Sequence, residues 1–364
     1  MSLQEVLLLE SVYYISVVFI EVPSGYFSDK IGRKKTLIIS SILFILSYLV
    51  FGLSYSFMTL ASGQVLLAAA ISFRSGTDTS FFYESIVDAG KEEEYGQREA
   101  SVQSWIQIAS AIAVLIGGFL GSINLYLPYY LSAAIVSPAL IVCFYFTEPG
   151  LKQKESEPFF KQLLICSQYL KNPQLLWLFI FSVLMYAMTH IPYEFYQPYL
   201  KLLEARGDLG IMDAAIASGL LYAGTRFIAA YAAKMSVTWT ERFGIYKVLF
   251  VAIIIQAFII GMLGTVLSMY IVLVVLFRNF SMMMTSAPIN AVIAPVVHAN
   301  QRATYFSIQS LAYRLSFAAT LIFLALPFGD GHVTDWPALA WMLRTSLFAA
   351  VICMILLFIK VPKA

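Results

Sequence analysis

Long apolar runs recur along almost the whole chain, and they restrict its fold more than any other feature. We distinguish eleven runs of about twenty residues, the length of helix that crosses the hydrocarbon core of a bilayer. Lipid offers no hydrogen bonds to backbone N–H and C=O groups, so such segments are predicted to be helices. The sequence therefore predicts an all-α polytopic membrane protein. The runs cover residues 5–26, 36–55, 57–82, 101–122, 126–147, 174–198, 211–233, 247–265, 268–296, 305–328 and 337–360.

The composition supports a membrane protein and excludes several other classes. Of the 364 residues, 60% are hydrophobic and 12% are charged, whereas soluble domains carry about 25% charged residues. The net charge of +2 is spread along the chain, so no nucleic-acid partner is expected. The cysteines, Cys143, Cys166 and Cys353, show no CxxC spacing, and the three histidines are scattered. Disulfides, a metal site and a cofactor are therefore not expected.

The distribution of Lys and Arg predicts which loops face the cytoplasm, because cytoplasmic loops are enriched in positive charge. Most of the 23 Lys and Arg residues fall in one set of alternate loops, which begins with the basic group at residues 30–35. The opposite set holds only Lys201 and Arg206. The sequence therefore predicts a protein of the cytoplasmic (inner) or plasma membrane, with its carboxyl terminus in the cytoplasm and its amino terminus outside.

A hydrophilic stretch divides the runs into two groups. Residues 1–147 are predicted to form an amino-terminal membrane half, and residues 174–364 a carboxyl-terminal half, joined by a cytoplasmic linker at 148–173. Within the linker, Phe159, Phe160, Leu163 and Leu164 recur at helical spacing, which predicts an amphipathic helix at the membrane surface. A plain solvated linker is the alternative.

One segment carries a motif. The end of the first run and the residues after it read G-x-x-x-D-x-x-G-R-K, in which the defined positions are Gly25, Asp29, Gly32, Arg33 and Lys34. This segment resembles the signature loop between the second and third helices of the major facilitator superfamily. The preceding residues 21–25, Glu-Val-Pro-Ser-Gly, resemble the corresponding segment of superfamily exporters, including the drug/proton-antiporter-like and uncharacterised branches.

The resemblance implies a specific fold and gives the motif residues roles. Members have twelve helices in two pseudo-symmetric halves, and the signature loop follows the second helix. Because it follows the first run here, the resemblance implies that the first family helix is missing and that the runs are helices two to twelve. Gly25 should allow close helix approach and Gly32 a positive φ. Asp29 should accept hydrogen bonds from backbone N–H groups at the start of the eleventh family helix, expected near Tyr305.

Polar side chains inside the runs are candidate functional residues, because an ionisable group in hydrocarbon costs about 2.5–3.5 kcal/mol on insertion scales. Arg74 and Asp78 are four residues apart and form either a self-neutralising pair or an anion contact, with Asp78 approaching the signature loop. His190 and Glu194 form either a proton-coupling pair or a packed polar stripe. The candidates for substrate contact or proton coupling are Glu10, Arg74, Asp78, Tyr186, His190, Glu194, Arg226, Arg278 and Arg314.

These features together predict a transporter. No G-x-x-x-x-G-K-[ST] loop is present in the sequence, so ATP is not the expected energy source. The predicted function is secondary active transport of a small organic solute by alternating access, driven by protons and directed outward. The expected partners are the solute, protons and the bilayer, around a monomer without enzymatic activity. A non-transporting relative that acts as a sensor or scaffold is the alternative.

Overall fold

The computed structural model describes residues 3–53, 56–149, 157–210, 214–325 and 336–362, and their regular structure is helical. The helices of the first part are α1 (Leu3–Ile31), α2 (Arg33–Leu53), α3 (Phe57–Arg74), α4 (Thr77–Asp88), α5 (Tyr95–Ile123), α6 (Leu127–Tyr145) and α7 (Phe159–Tyr169). Those of the second part are α8 (Pro173–Ala205), α9 (Ala214–Phe243), α10 (Ile245–Leu263), α11 (Met269–Val272), α12 (Arg278–Val296), α13 (Ala299–Ala325) and α14 (Trp336–Ile359). Short 3₁₀ turns precede α5 and α12.

Within the described ranges, ten helical segments are long and apolar enough to cross a membrane. Large apolar side chains such as Phe19 and Trp105 lie exposed on their surfaces, as expected for helices that face lipid. The predicted run 211–233, the seventh of the eleven, corresponds to α9, which is 30 residues long but is not among the ten. Arg226 and several small residues lower the hydropathy of this helix.

The structure corrects the prediction of one helix over residues 57–82. The chain breaks between α3 and α4, where Gly76 adopts a φ of +71°. A Cβ at this position would lie only 2.8 Å from the carbonyl oxygen of Ala303, so glycine meets both a steric and a conformational requirement. Arg74 and Asp78 therefore do not share the face of one continuous helix.

The signature segment is also more helical than predicted. Asp29 lies in the last turn of α1, and Arg33 is the first residue of α2, so Gly32 is the single residue between the two helices. Gly32 has the positive φ that the motif implies, +111°. The motif is therefore a tight helix–helix corner rather than an extended loop.

The predicted amphipathic helix forms as α7. Gln162 and Cys166 are buried on one face, whereas Phe160 and Leu164 are 79% and 66% exposed. Exposed large apolar side chains on a short helix are typical of a surface that contacts the membrane interface. Residues 150–156 of the linker lie outside the described residues.

The chain divides into two compact units by its contacts. Unit 1 contains residues 1–95, 116–172 and 293–312, and unit 2 contains residues 96–115, 173–292 and 313–364. In unit 1, α2 packs on α3 and α6, and α1 packs on α3. Ser40 Oγ and Ser47 Oγ donate across the α2–α3 interface to the carbonyls of Ala70 and Gly63, as polar glue between membrane helices.

In unit 2, α10 packs on α8, α9 and α14. Gln256 Nε2 of α10 donates to the Met188 carbonyl of α8 at 3.0 Å, and Trp177 Nε1 donates to the Leu357 carbonyl of α14 at 3.0 Å. The predicted division at 1–147, 148–173 and 174–364 stays a prediction, because these units follow contacts rather than chain order.

Candidate functional site

Four buried charges meet in unit 1, and we call Asp29, Arg33, Glu84 and Arg302 the latch. Arg33 Nη1 lies 2.6 Å from Asp29 Oδ1, and Arg33 Nη2 lies 3.1 Å from Glu84 Oε1. Arg302 Nη1 lies 2.8 Å from the same Glu84 oxygen. No side chain of the four is more than 6% exposed. Two positive and two negative charges thus compensate one another, as buried ions require.

Asp29 binds the first turns of α13. Its Oδ1 accepts the N–H of Ala303 at 3.1 Å, and its Oδ2 accepts the N–H and hydroxyl of Thr304 at 2.9 and 2.5 Å. The positive end of the helix dipole favours an anion here. The geometry matches the expectation for Asp29, although α13 begins at Ala299 rather than near Tyr305.

Arg33 and Gln162 bind the carbonyls of the same turn. Arg33 Nη2 donates to the Ala299 carbonyl at 2.6 Å. Gln162 Nε2 of α7 donates to the Asn300 carbonyl at 3.0 Å and to Asp29 Oδ2 at 2.9 Å. The signature corner and α7 therefore hold both the donors and the acceptors of this helix start.

Arg302 holds the end of α12. Its Nε donates to the Ala294 carbonyl and its Nη2 to the Val297 carbonyl, both at 2.9 Å. The last carbonyls of a helix have no partner within it, and a cation there also complements the dipole. The Arg302 guanidinium also lies 4.4 Å from the centre of the Tyr83 ring. One arginine thus joins Glu84 to a helix end.

Glu148 fixes the start of α2. Its two carboxylate oxygens accept the N–H groups of Arg33 and Lys34 at 2.6 and 2.8 Å. A Cβ on Gly32 would lie 2.8 Å from this carboxylate, and a Cβ on Gly25 would lie 2.5 Å from Ser307 Oγ. Glycine is therefore required at Gly25 by the close approach of α13 and at Gly32 chiefly by its positive φ.

The sequence prediction missed half of the latch. Glu84 lies just beyond the predicted run 57–82, and Arg302 precedes the predicted run 305–328, where it was interpreted as a loop residue. The helices extend past these limits, and both side chains are buried. The two contacting residues Gln162 and Glu148 were also missed. A charged residue within one helical turn of the end of a predicted run is the signal that could have identified Glu84 and Arg302.

Three predicted candidates belong to unit 1 but lie outside the latch. Asp78 is exposed and accepts the N–H of Thr79, so Glu84 takes the position expected for Asp78. Arg74 is exposed, with its guanidinium 5.1 Å from the Phe44 ring centre. Glu10 is exposed on α1.

The remaining candidates lie in unit 2, where Arg226, Arg278, Tyr193 and Tyr222 form what we call the arginine–tyrosine cluster. The Arg278 guanidinium lies 4.7 Å from the Tyr193 ring centre and 5.5 Å from that of Tyr222. The Arg226 guanidinium lies 4.9 Å from the Tyr222 ring centre. Its Nη1 donates to Gln107 Oε1 at 2.8 Å.

His190 lies beside this cluster. Its Nδ1 is 2.9 Å from the Tyr186 carbonyl, and the two rings stack with centres 3.9 Å apart. The charges of Arg226, Arg278 and Arg314 all act on His190. Glu194 is half-buried on the same helix, which continues through Pro192. The proton-coupling role of His190 and Glu194 stays a prediction.

Two buried carboxylates were not among the predicted site residues. Glu21 in α1 is fully buried, and neither of its carboxylate oxygens has a hydrogen-bond partner in the part of the chain that the structure describes. Glu99 in α5 is 3% exposed and accepts hydrogen bonds from Gln103 and Asn290. Glu21 is an ionisable residue inside the first predicted run, just before the signature motif. That position was the signal that could have identified it.

The thiol of Cys166 in α7 faces the latch. Burial, and then the negative charge of Asp29, raise the pKa of this thiol to about 12. Burial likewise raises the pKa of Tyr169, whose hydroxyl donates to Gln301 Oε1 at 2.6 Å and accepts the N–H of His298. Both groups are therefore neutral at physiological pH and leave the charge balance of the latch unchanged.

One comparison with known proteins identifies a family, and another identifies similar folds. The sequence model of the Major Facilitator Superfamily matches residues 1–321. A comparison with curated protein sequences found no match. The fold is similar to that of the human organic anion transporter MFSD10 (TETRAN), with a TM-score of 0.74, 15% identity and coverage of 96% of this chain and 83% of that chain.

Two further solved structures share the fold. The E. coli fucose:proton symporter FucP matches with a TM-score of 0.73 and 14% identity over 99% of this chain and 92% of that chain. A bacterial homologue of the iron transporter ferroportin in an outward-facing state matches with a TM-score of 0.70 and 13% identity, over 99% and 91% of the two chains. At these identities the likeness concerns the fold alone.

Proposed function

Because this integral membrane protein belongs to the Major Facilitator Superfamily, a family of transporters, we propose that it is a secondary active transporter. It carries a small organic solute outward by alternating access, and protons supply the energy. It does so as a monomer in the cytoplasmic or plasma membrane, with its carboxyl terminus in the cytoplasm. The outward direction rests on the resemblance of residues 21–25 to the same segment of superfamily exporters.

The observation that carries the proposal is the chemistry of the latch. Asp29 and Arg33 of the amino-terminal half bind α13, which belongs to the carboxyl-terminal half of the sequence. Hydrogen bonds and ion pairs exchange readily for water, whereas a well-packed apolar interface does not separate without exposing its surface. A polar contact between the sequence halves suits a gate that closes and opens in every transport cycle.

Proton coupling is supported by Glu21. Burying a carboxyl group costs free energy unless its oxygens have hydrogen-bond partners. Both oxygens of Glu21 lack a partner among the described residues, and the side chain is fully buried. Glu21 therefore joins His190, Glu194 and Glu10 as a candidate for the group that binds the coupling proton.

The test is transport by the purified protein in liposomes that contain a pH-sensitive dye. A panel of labelled organic solutes is applied with and without a pH gradient. We expect at least one solute to move only in vesicles that contain protein, to respond to the gradient and to shift the internal pH. Glu21→Gln should transport without a matching proton signal, whereas the exposed control Glu157→Gln should behave as the parent. No protein-dependent movement of any solute would contradict the proposal.

A further inference from the structure

Two arginines in unit 2 share one aromatic ring. The guanidinium groups of Arg226 and Arg278 lie 4.9 and 5.5 Å from the centre of the Tyr222 ring. Each cation is attracted to the ring, but the two like charges repel each other, and the repulsion is strong away from water. Arg278 is only 4% exposed. The arrangement therefore concentrates positive charge in a place where it is costly.

The described partners of these two arginines do not neutralise them. Arg226 donates to Gln107 Oε1 and to the Tyr222 hydroxyl, and Arg278 Nη1 donates to Asn279 Oδ1 at 3.3 Å. Arg278 Nη2 is buried and has no hydrogen-bond partner in the described part of the chain. A guanidinium group has five donors in a planar fork, so donors remain for a further acceptor.

The latch provides an internal comparison. There, Arg33 pairs with Asp29 and Glu84, and Arg302 pairs with Glu84. The buried arginines that hold this fold together thus come with carboxylates of the chain itself. Arg226 and Arg278 are described with uncharged partners, which indicates that their counter-charge comes from another molecule.

The charges around the cluster agree with that reading. The positive charges of Arg226, Arg278 and Arg314 act together on His190. One carboxylate, that of Glu194, acts on Tyr193 from the next position along α8. Arg226 and Arg278 thus concentrate positive charge beside His190, which an anion would balance.

We propose that the arginine–tyrosine cluster binds the carboxylate or phosphate group of an organic anion. This inference rests on the proposed function, because the anion is the transported solute. The planar forks of Arg226 and Arg278 match the oxygens of both groups. Buried Nη2 of Arg278 supplies the donor that lacks a partner.

The neighbouring side chains indicate what the rest of the anion, beyond its charged group, is like. The His190 ring lies 6.1 Å from Tyr193 and 5.1 Å from Phe317, and it stacks on Tyr186. Tyr193 is 38% exposed, so the cluster reaches the surface of the chain at this ring. An anion with an aromatic or other planar apolar group suits these aromatic side chains, because rings stack on rings.

The test is ligand binding to the purified full-length protein, measured by thermal unfolding over a range of ligand concentrations. The probes are benzoate and phenyl phosphate, with benzamide and benzylamine as matched neutral and cationic compounds. We expect the anions to raise the unfolding temperature and the matched compounds to leave it unchanged. Arg226→Gln and Arg278→Gln should each weaken apparent anion affinity at least tenfold.

The matched control is Arg242→Gln. Arg242 lies on α9 like Arg226, and its guanidinium is 5.2 Å from the Phe243 ring centre, but it is exposed outside the cluster. It should change anion affinity less than twofold. Arg278→Lys keeps the charge but loses the planar fork, so it should bind anions more weakly than the parent and more tightly than Arg278→Gln. It also decides the matter if Arg278→Gln does not fold.

The binding assay separates this inference from the proposed function. Equal stabilisation by benzamide and benzoate, no stabilisation by either anion, or unchanged affinity in Arg226→Gln and the folded Arg278 variants would overturn the anion site. Solute movement confined to neutral or cationic compounds would also overturn it, while transport itself would stand. Anion binding that depends on these arginines, without solute movement in liposomes, would retain the site and remove the transport function.

Discussion

At the scale of single residues, two charges of the latch lie at helix ends of opposite polarity. Asp29 lies at the positive start of α13, and Arg302 lies at the negative end of α12. Glu84 joins Arg33 to Arg302 and makes the group neutral. Removing one member of a buried ion pair costs about 3–5 kcal/mol, since its partner keeps a charge without compensation.

Glu84→Gln should therefore lower the stability of the protein, by about 3 kcal/mol, because two buried guanidinium groups lose their shared carboxylate. The measurement is thermal unfolding in detergent. The control is Glu157→Gln, which removes a carboxylate from an exposed pair with Lys161 at 2.9 Å and should have almost no effect. Equal unfolding temperatures for the two variants would show that the Glu84 carboxylate does not stabilise the two buried guanidinium groups.

Asp29→Asn should reduce transport strongly while the protein still inserts. The side-chain amide places N–H donors against the backbone donors of Ala303 and Thr304, which now bind a carboxylate. The measurement is the initial rate in liposomes at equal protein content. Asp208→Asn is the control, since Asp208 forms an exposed pair with Arg206. Parent-like rates for Asp29→Asn would contradict the proposed role of the latch as a gate.

Cys166 reports on the same group of charges. Its thiol pKa is raised from 9.0 to about 12 by burial and by Asp29, so the native state loses stability as the pH rises from about 9 toward 12, where only the unfolded chain ionises. With Cys143 and Cys353 replaced by Ser, thiolate absorbance should appear near pH 12. Adding Asp29→Asn should lower the pKa of the Cys166 thiol, because the substitution removes the negative charge of Asp29. Titration near pH 9 in the folded protein would contradict the burial.

At the scale of elements, the helix runs could be predicted and their ends could not. Apolar length identifies a spanning helix, but a polar or small residue near an end is compatible with either helix or loop. The break at Gly76 depends on the approach of Ala303, which is distant in sequence. Glu84 and Arg302 lie in the uncertain turns, so the sequence predicted the motif half of the latch and missed the other half.

Gly76→Ala tests the cause of the break between α3 and α4. Gly76 has a φ of +71° and would place a Cβ 2.8 Å from the Ala303 carbonyl oxygen, whereas Gly90 has a φ of +69° and nothing within 4 Å. Gly90→Ala should cost about 1 kcal/mol through backbone strain alone. Gly76→Ala should cost more, by the clash with α13. Thermal unfolding of both variants measures the difference, and equal losses would assign the break to backbone conformation alone.

At the scale of the whole molecule, the basic residues predict the topology. Arg206 and Lys161 are 57% and 61% exposed by side chain and belong to loops predicted on opposite sides of the membrane. Arg206→Cys should react with an impermeant maleimide added outside intact cells, and Lys161→Cys should react only after lysis. The background is a chain without its native cysteines. The reverse pattern would invert the predicted orientation.

The start of α13 has one more consequence, which concerns the energy balance of the proposed gate. In an α-helix, the N–H groups of Ala303 and Thr304 are the natural partners of the carbonyls of Ala299 and Asn300, and in the latch all four groups bind side chains. These four groups already belong to the first turns of α13, so they keep a backbone partner when the side chains are absent. This helix start should therefore differ little between the closed and open states of the proposed gate. The balance between the two states is left to the carboxylates and guanidinium groups, which a single substitution can tune.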